Sequence, residues 1–286
     1  MTAGVVSGKA ALVVAHPGHE LCVYGWLEEA RPRVFVLTDG SGRTGISRLK
    51  STTKILSRVG ASPGAVYGRF ADREIYAALL RGDFGLFERL VAELAEAFVW
   101  EEIEYVAGDA AEGYNSVHDT CRIVIDAAAE LSSRTSGRRI INRDFLLFRR
   151  HSAVSDEVHA GEIRLMLDDA QLARKLSVAR EYSELKDEVD ALLDQKALEA
   201  LRAFPELSAH ISDFVTSDMG GEAYRVESLR LAGESTRGDG VANEIPFYER
   251  YGEMLVTAGA YDHAIRRRDH IAPLAKAMRR FVDAQL

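Results

Sequence analysis

The chain has 286 residues, of which 47% are hydrophobic and 28% are charged. At about 150 residues per domain, this length corresponds to one large or two small domains that can fold without disulfide or metal staples. The 36 Lys and Arg against 44 Asp and Glu give a net charge of −8, which argues against a nucleic-acid-binding surface. The ordinary composition also excludes a disordered or collagen-like chain.

The first apolar run, Ala10 to Ala15, is too short for a membrane span or a signal-peptide core, and His16 interrupts it. The sequence therefore predicts a cytoplasmic protein with no membrane partner. Cys22 and Cys121 are far apart in the chain, which is typical of buried free thiols rather than of a disulfide framework or a zinc knuckle.

Two apolar, β-branched runs near the N-terminus predict buried parallel strands. The first is Ala10 to Ala15, and the second is Arg33 to Thr38, which stops at a turn cluster at residues 39–42. Glu20 to Ala30, between the two runs, has the length of one helix. The opening of the chain therefore predicts a right-handed βαβ unit.

Helical spacing of apolar residues continues along the middle of the chain. It predicts a helix over Ile46 to Val59, ended by Gly60, and another over Arg73 to Phe98. The next predicted elements are a strand over Ile103 to Val106, a polar loop over Gly108 to Asn115, a helix over Val117 to Leu131, and strand residues at 140–141 and 145–148.

The alternation of strands and helices predicts an α/β fold with three layers, α/β/α, and a Rossmann-like, mostly parallel sheet. Apolar residues then recur every three or four positions from Leu176 to Leu192, which predicts one long amphipathic helix that ends near Pro205. We expect residues 1–200 to form the α/β domain and residues 201–286 a C-terminal helical extension packed on it. The aromatic-rich end of this extension is compatible with a homo-oligomer interface or a lid, although ordinary packing of a terminal helix is the simpler interpretation.

Ligands of open α/β sheets bind at the carboxyl ends of strands, and two histidine-bearing segments fall there. His16 and His19 follow the first predicted strand, and His118 follows the predicted polar loop. Three neutral imidazoles that leave a fourth position for water have the composition of a catalytic zinc site. The alternative is that Pro17 and Gly18 form an ordinary turn and the histidines are hydrogen-bonded surface groups.

The opening VVAHPGHE resembles the AHPDDE signature of the PIG-L/LmbE-like de-N-acetylases, zinc enzymes that remove acyl groups from amino sugars and related small molecules. The similarity covers most of residues 10–130 in the same order. The segment VFVLTDGSG resembles the family's second strand and its Thr-Asp-Gly turn. The segment FADREIYAALL resembles the family's stretch PDGELYWALL, and YNSVHDTCRIVIDAA resembles the region of the family's HPDH motif. Gly25 stands at a glycine of the family's first helix, and Arg48 with Gly60 fits its Arg-bearing helix that ends in Leu-Gly.

This resemblance implies Zn2+, with another divalent metal as the alternative, held by His16, His19 and His118. His19 replaces an aspartate ligand of the family, and Gly18 stands where the family has its general base. Asn115 replaces a histidine that stabilises the oxyanion, and it can donate only a neutral hydrogen bond. Since a positioned base contributes about 10²–10⁴-fold to the rate, another residue must take over this role.

Two carboxylates near the predicted ligands are candidates for the proton transfer. Glu20 is the first, although it is better explained as a supporting hydrogen-bond partner. Asp119 is the second, and its alternatives are orienting His118 or stabilising the first turn of a helix. Restoring an aspartate at Gly18 offers a test of this interpretation, because it should raise hydrolysis if the rest of the site is intact.

Three further residues are candidates for substrate binding by the same resemblance. Arg48 would bind a substrate hydroxyl or phosphate, with a solvated helix arginine as the alternative. Asp39 lies in the Thr-Asp-Gly turn and is more simply a turn-forming residue. Glu222, in GGEAYR, resembles a late glutamate of the family near the active site.

Three functions follow from these observations. The first is a metal-dependent hydrolase that cleaves an amide (N-acyl) bond of a small polar compound such as an amino sugar. The second is a metal enzyme of small-molecule biosynthesis that catalyses a non-hydrolytic reaction. The third is a non-catalytic binding or assembly protein that keeps the fold. The presence of His19 argues against the third function, because an inactive site need not gain an imidazole.

Overall fold

The computed structural model describes residues 8–42, 44–147, 161–186, 189, 224–233 and 245–285. The strands are β1 (Ala10–Val14), β2 (Arg33–Thr38), β3 (Ser62–Phe70), β4 (Tyr105–Asp109), β5 (Ile141–Phe145), β6 (Ile163–Met166) and β7 (Val226–Leu231). They form one sheet in the order β3-β2-β1-β4-β5-β7-β6. The first five strands in this order are parallel, and β7 runs antiparallel to β5 and β6.

The helices within the described ranges are α1 (Tyr24–Ala30), α2 (Leu49–Val59), α3 (Asp72–Arg81), α4 (Phe84–Trp100), α5 (Ser116–Ser136), α6 (Asp169–Arg180), α7 (Phe247–Thr257) and α8 (Ala272–Ala284). Two short 3-10 helices cover His19–Val23 and Ser183–Leu185, and a π-helical turn covers Arg267–Ile271. The mostly parallel sheet with its helices confirms the predicted α/β class.

The central strand β1 is buried on both faces of the sheet. Ala11 and Val13 belong to a core cluster formed with α3, α4, α5 and α8, whereas Leu12 and Val14 belong to a second cluster formed with α1, α2 and α6. Successive side chains of a strand point to opposite faces, so helices cover each face. This explains why the strand is a continuous apolar run, and it establishes the three-layer arrangement.

Two predictions about helices were wrong. The helix expected over residues 73–98 is two helices, because Gly82 takes a left-handed conformation with φ of 64° and caps α3. The long amphipathic helix is also interrupted, since α6 ends at Arg180 and a 3-10 helix follows. Its expected end near Pro205 lies outside the described residues.

Sequence analysis did not predict three of the strands, β3, β6 and β7. Strand β7 lies in the region that was expected to be a helical extension, and it pairs with both β5 and β6 in the main sheet. Residues 226–231 therefore contribute directly to the α/β architecture rather than only packing against it.

No helix in the described part of the chain is long and apolar enough to cross a bilayer. Both cysteines are free thiols. Cys121 is buried as predicted, whereas Cys22 is only partly buried.

A buried ion pair connects β7 and α6 to the start of α1. The ammonium group of Lys175 donates hydrogen bonds to Glu227 over 2.7 Å and to the carbonyl oxygen of Cys22 over 2.8 Å. The carboxylate of Glu227 also accepts hydrogen bonds from the amides of Gly25 and Trp26, at 2.9 and 2.8 Å. These amides belong to the first turn of α1, where a negative charge is favourable.

Glu227→Gln should destabilise the fold strongly, because it leaves the ammonium group of Lys175 buried without a counter-charge. Breaking a buried pair in this way costs about 3–5 kcal/mol. Urea unfolding followed by circular dichroism measures the change in the free energy of unfolding.

Two variants serve as controls for this ion pair. Glu253→Gln removes a partner of Arg266 in an exposed pair and should change the stability by less than about 1 kcal/mol. Lys175→Met combined with Glu227→Gln should be more stable than Glu227→Gln alone, because no charge is then left unpaired. A loss in Glu227→Gln as small as that in Glu253→Gln would contradict the assigned role of the pair.

Candidate functional site

The structure brings the three predicted histidines together at the carboxyl edge of the sheet. His16 and His19 follow β1, and His118 lies in the first turn of α5, which follows β4. Because β1 and β4 are adjacent and parallel, their carboxyl ends meet. The ring centroids of His16 and His19 are 5.2 Å apart, those of His16 and His118 are 5.1 Å apart, and those of His19 and His118 are 4.6 Å apart.

Burial favours the uncharged form of two of these imidazoles. It lowers the pKa of His16, although the contact with Asp72 acts in the opposite direction. Burial also lowers the pKa of His118 well below its usual value, and the neighbouring His19 and His16 rings lower it further. Neutral imidazole is the form that binds a metal ion, so these rings are in the appropriate state.

Asp109 lies behind His19, and sequence analysis did not single it out. It is the last residue of β4, and its Oδ2 atom lies 2.9 Å from Nδ1 of His19. The same oxygen accepts a hydrogen bond from the amide of Ala15 over 2.7 Å. A carboxylate on one ring nitrogen of a histidine fixes the ring and leaves the other nitrogen, Nε2, available as a ligand.

Asp72 occupies the equivalent position behind His16. Nδ1 of His16 lies 2.9 Å from Oδ1 of Asp72 and 2.8 Å from Oγ1 of Thr38. Burial acts to raise the pKa of Asp72, but the contacts with His16, the hydroxyl of Thr38 and the amide of Gly42 together lower it to about 2. This carboxylate is therefore charged at neutral pH and pairs with the ring of His16, whose Nδ1 atom forms its hydrogen bond with the hydroxyl group of Thr38.

The signal for Asp109 was present in the sequence, because the residue lay in the predicted polar loop that follows a strand. Asp72 follows β3, which ends at Phe70. Since sequence analysis did not predict that strand, nothing placed Asp72 at the carboxyl edge of the sheet.

The spacing of the three rings and their donor chemistry fit a divalent metal. Imidazoles bound to one tetrahedral ion, with metal–nitrogen bonds of about 2 Å, have ring centroids about 5 Å apart. In addition, the Oδ1 atoms of Asp72 and Asp109, whose carboxylates contact two of these rings, are buried without a hydrogen-bond partner among the described residues. In the part of the chain that the structure describes, however, no three His, Cys, Asp or Glu side chains are already arranged to hold a metal ion. The ring spacing and the donor type therefore fit, but the ligand atoms are not preset around one point.

Glu20 is fully buried and holds the loop that carries the first two histidines. Its Oε2 atom accepts a hydrogen bond from the amide of Gly18, and its Oε1 atom accepts one from the hydroxyl of Thr52, both over 2.7 Å. Burial raises the pKa of Glu20, and the hydrogen bonds from Thr52 and Gly18 lower it. Both oxygens are engaged, which favours the supporting interpretation of this residue over proton transfer.

Asn115 is the N-cap residue of α5. Its Oδ1 atom accepts hydrogen bonds from the amide of Val117 over 2.8 Å and from the hydroxyl of Tyr76 over 3.3 Å. These contacts fix the side chain through its oxygen. They do not use the donor hydrogens of Nδ2, the group that the predicted oxyanion contact requires.

Asp119 stabilises the loop that precedes α5. Its Oδ1 atom accepts a hydrogen bond from the amide of Gly113 over 3.0 Å. Burial raises the pKa of Asp119 to about 6. The contact with Gly113 ties Asp119 to the backbone of the loop that carries Asn115.

The three residues predicted to bind substrate are Asp39, Arg48 and Glu222, and the structure describes the first two. Oδ1 of Asp39 accepts a hydrogen bond over 2.9 Å from the amide two residues further on, which fits the turn-forming interpretation. Arg48 precedes the first residue of α2, and its side chain flanks Gly40 together with Pro17. Arg48 is thereby close to the loop that bears the histidines. Glu222 lies outside the described residues.

At Gly18, where the family that the sequence resembles has its general base, the backbone conformation and a neighbouring leucine restrict a side chain. The φ of Gly18 is 109°, in a region that favours glycine. A Cβ atom at this residue would lie 2.5 Å from Cδ1 of Leu185. An aspartate at Gly18 must therefore displace Leu185, so an inactive Gly18→Asp variant would say nothing about the rest of the site.

Comparison with known proteins gives only distant similarities. No family model and no curated protein sequence matches this chain. Similar solved structures include the A40926 pseudoaglycone deacetylase Dbv21, with 17% identity and a TM-score of 0.42, covering 78% of this chain and 96% of that chain. A deacetylase–bog complex from the biosynthesis pathway of teicoplanin has 14% identity and a TM-score of 0.48, with coverage of 78% and 97%. The zinc-inhibited form of the teicoplanin deacetylase Orf2 has 13% identity and a TM-score of 0.47, again with coverage of 78% and 97%.

Gly18→Ala should lower the free energy of unfolding by about 2–5 kcal/mol, since it adds backbone strain and a clash with Leu185. In a Leu185→Ala background the same substitution should cost about 1–3 kcal/mol less, because the clash is removed. Chemical unfolding of the four proteins in this cycle measures both values.

Gly137→Ala is the matched control for this cycle. Gly137 also has a positive φ, of 66°, but no atom lies within 4 Å of an added Cβ. Gly137→Ala should therefore lower the free energy of unfolding only by the backbone strain, about 1–2 kcal/mol. An equal cost for Gly18→Ala in the presence and absence of Leu185 would show that the leucine does not restrict this position.

Proposed function

We propose that this chain is a metal-dependent amide hydrolase that removes an acyl group from a small polar N-acyl compound, such as an amino sugar. The observation that carries the proposal is the convergence of His16, His19 and His118, with ring centroids 4.6 to 5.2 Å apart. The carboxylates of Asp72 and Asp109 support it, because each contacts the Nδ1 atom of one of these rings.

The side chains around the three histidines would have different roles in such a reaction. The three imidazoles would hold Zn2+ or another divalent ion, which when bound makes water acidic and polarises a carbonyl group. Asp72 and Asp109 keep the rings of His16 and His19 in one orientation and one tautomer. Asn115 offers its Nδ2 hydrogens to the developing oxyanion while its oxygen remains in the helix cap.

The environment of Gly18 favours a second candidate function. Gly18 itself carries no base, and a side chain at this position would have to displace the end of the Leu185 side chain. A metal enzyme that catalyses a non-hydrolytic step of small-molecule biosynthesis needs no such base. The assay for hydrolysis described below separates the two functions, because both predict metal binding.

The untagged protein, purified without chelator and then given Zn2+, should contain about one equivalent of metal. His118→Ala should lose it, because only two imidazoles remain. Asp109→Asn should bind the ion about 10–100-fold more weakly, since it removes the carboxylate that orients His19. Plasma mass spectrometry gives the metal content, and titration against a chromophoric chelator gives the affinity.

His263→Ala is the matched control for metal binding, because His263 is exposed and belongs to the C-terminal segment. It should retain the full equivalent. The absence of bound zinc in the wild-type protein would overturn the proposed function, as would an unchanged metal content in His118→Ala.

Amine release from N-acetylglucosamine and related N-acetyl compounds tests hydrolysis directly. Asn115→Ser should retain the helix cap, because serine is also a good N-cap residue. It should nevertheless reduce kcat about 10²–10³-fold, since the donor to the oxyanion is lost. The thermal unfolding temperature, measured beside the rate, verifies that the cap is intact.

The rate of Asn115→Ser tests the role of Asn115, and the release of amine by the zinc-loaded protein tests whether the reaction is hydrolytic. If Asn115→Ser keeps the wild-type rate, Asn115 does not stabilise the oxyanion. If the zinc-loaded protein releases no amine from any N-acyl compound in a broad panel, the non-hydrolytic function replaces the hydrolase.

A further inference from the structure

Arg143, in the middle of β5, is a buried arginine whose charge no described carboxylate balances. Only 5% of its surface is exposed. Its Nη1 atom donates hydrogen bonds to the carbonyl oxygens of Gly161 and Leu229, which are neutral acceptors. Its Nε atom is buried without a hydrogen-bond partner in the described part of the chain. Because a guanidinium group stays protonated in proteins, a positive charge lies at this place in the interior.

Two other arginines that contact β5 differ from Arg143 in this respect. The guanidinium group of Arg122 is paired with Asp126, and that of Arg230 with Asp144, each over 2.9 Å. Burial lowers the pKa of Arg143, and no carboxylate of the described ranges acts on it in the opposite direction. Since buried charges in proteins are normally paired, the surroundings of Arg143 call for a negative partner.

Two aromatic side chains bring further hydrogen-bond donors to the same place. Tyr105 pairs with Ile141 in the parallel ladder of β4 and β5, so its side chain lies on the same face of the sheet as Arg143, two residues further on. Trp26 contacts the ring of Tyr105 edge-on, with a centroid distance of 6.2 Å. Both aromatic residues are fully buried. Within the described ranges, neither the hydroxyl of Tyr105 nor Nε1 of Trp26 has a hydrogen-bond partner.

These three polar groups are close to one another. Burial raises the pKa of Tyr105, whereas the indole group of Trp26 and the guanidinium group of Arg143 act to lower it. Both groups therefore lie near the hydroxyl. The two N–H groups can only donate hydrogen bonds, and the hydroxyl can donate one as well. We call Nε1 of Trp26, the hydroxyl of Tyr105 and Nε of Arg143 the buried donor cluster.

We propose that the buried donor cluster binds a small monovalent anion of the size of chloride. One negative charge neutralises one guanidinium group, and it accepts hydrogen bonds from all three donors. The complete burial of both aromatic residues means that protein encloses the ligand, which favours a monatomic anion over an organic carboxylate or a phosphate.

The anion site is separate from the candidate metal site. Tyr105 begins β4, whereas Asp109, which contacts His19, ends it. Four residues of strand, about 13 Å, lie between these two positions. The donor cluster connects α1, β4 and β5, so a bound anion would stabilise the fold rather than take part in the reaction at the histidines.

Thermal unfolding at different chloride concentrations tests the proposal. Potassium chloride is exchanged for potassium gluconate at a constant ionic strength, so that the screening of surface charges does not change. An anion that binds only the folded state stabilises it. The unfolding temperature should therefore rise by about 2–4 °C for each tenfold increase in chloride above its dissociation constant. Bromide should act like chloride, whereas acetate, which is larger and planar, should act like gluconate.

Variants locate the effect on the donor cluster. Arg143→Met should abolish the dependence on chloride, because the positive charge and one donor are lost. Tyr105→Phe should shift the dependence to chloride concentrations about tenfold higher, as expected for the loss of one hydrogen bond to a charged group. Arg69→Met is the matched control, since Arg69 also lies on a strand but is paired with Glu93 at the surface. It should keep the wild-type dependence.

Crystals grown in bromide give the position of the anion directly. Anomalous diffraction should show a bromide ion beside Nε of Arg143 in the wild-type protein and also in His118→Ala, which distinguishes this site from an anion held at the histidines. The absence of bromide at this place overturns the proposal, as does an equal dependence on chloride in the wild type and Arg143→Met. If Arg143→Met does not fold, Tyr105→Phe and the bromide position decide. None of these readouts requires the release of amine, so they are independent of the proposed function.

Discussion

The arrangement of the site depends on one carboxylate at the end of a central strand. Oδ2 of Asp109 accepts a hydrogen bond from the amide of Ala15 and contacts the ring of His19. It therefore fixes where the chain leaves β1 and how the second histidine is oriented. Because Asp109 is fully buried, these contacts are shielded from water and are stronger than the same contacts at the surface.

The loops around this point are held by further polar contacts. Asp72 pairs with His16, Glu20 accepts a hydrogen bond from the amide of Gly18, and Asp119 accepts one from the amide of Gly113. These carboxylates are engaged in positioning the backbone or the imidazoles. The site thus combines three neighbouring imidazole rings with a glycine, Gly18, at which an added side chain would have to displace Leu185.

The C-terminal part of the chain supports the site in two places. Strand β7 supplies Glu227, whose buried pair with Lys175 secures the first turn of α1. Helix α7 contacts the loop that carries Tyr114 and Asn115, and it places Phe247 against the ring of Tyr114. Strand β7 and helix α7, which carry none of the three histidines, therefore help to hold the segments that do.

The sequence by itself determined the α/β class, the first βαβ unit and the three histidines, because apolar runs and strand-end motifs are local signals. Residues such as Asp72 and Glu227 needed the tertiary structure, since each acts on a partner far away in the chain. The same holds for Gly18, whose neighbour is Leu185, and for the stacked rings of Tyr114 and Phe247, which come from separate segments. Local patterns record which face of an element is buried, but only the packing of elements decides which side chains meet.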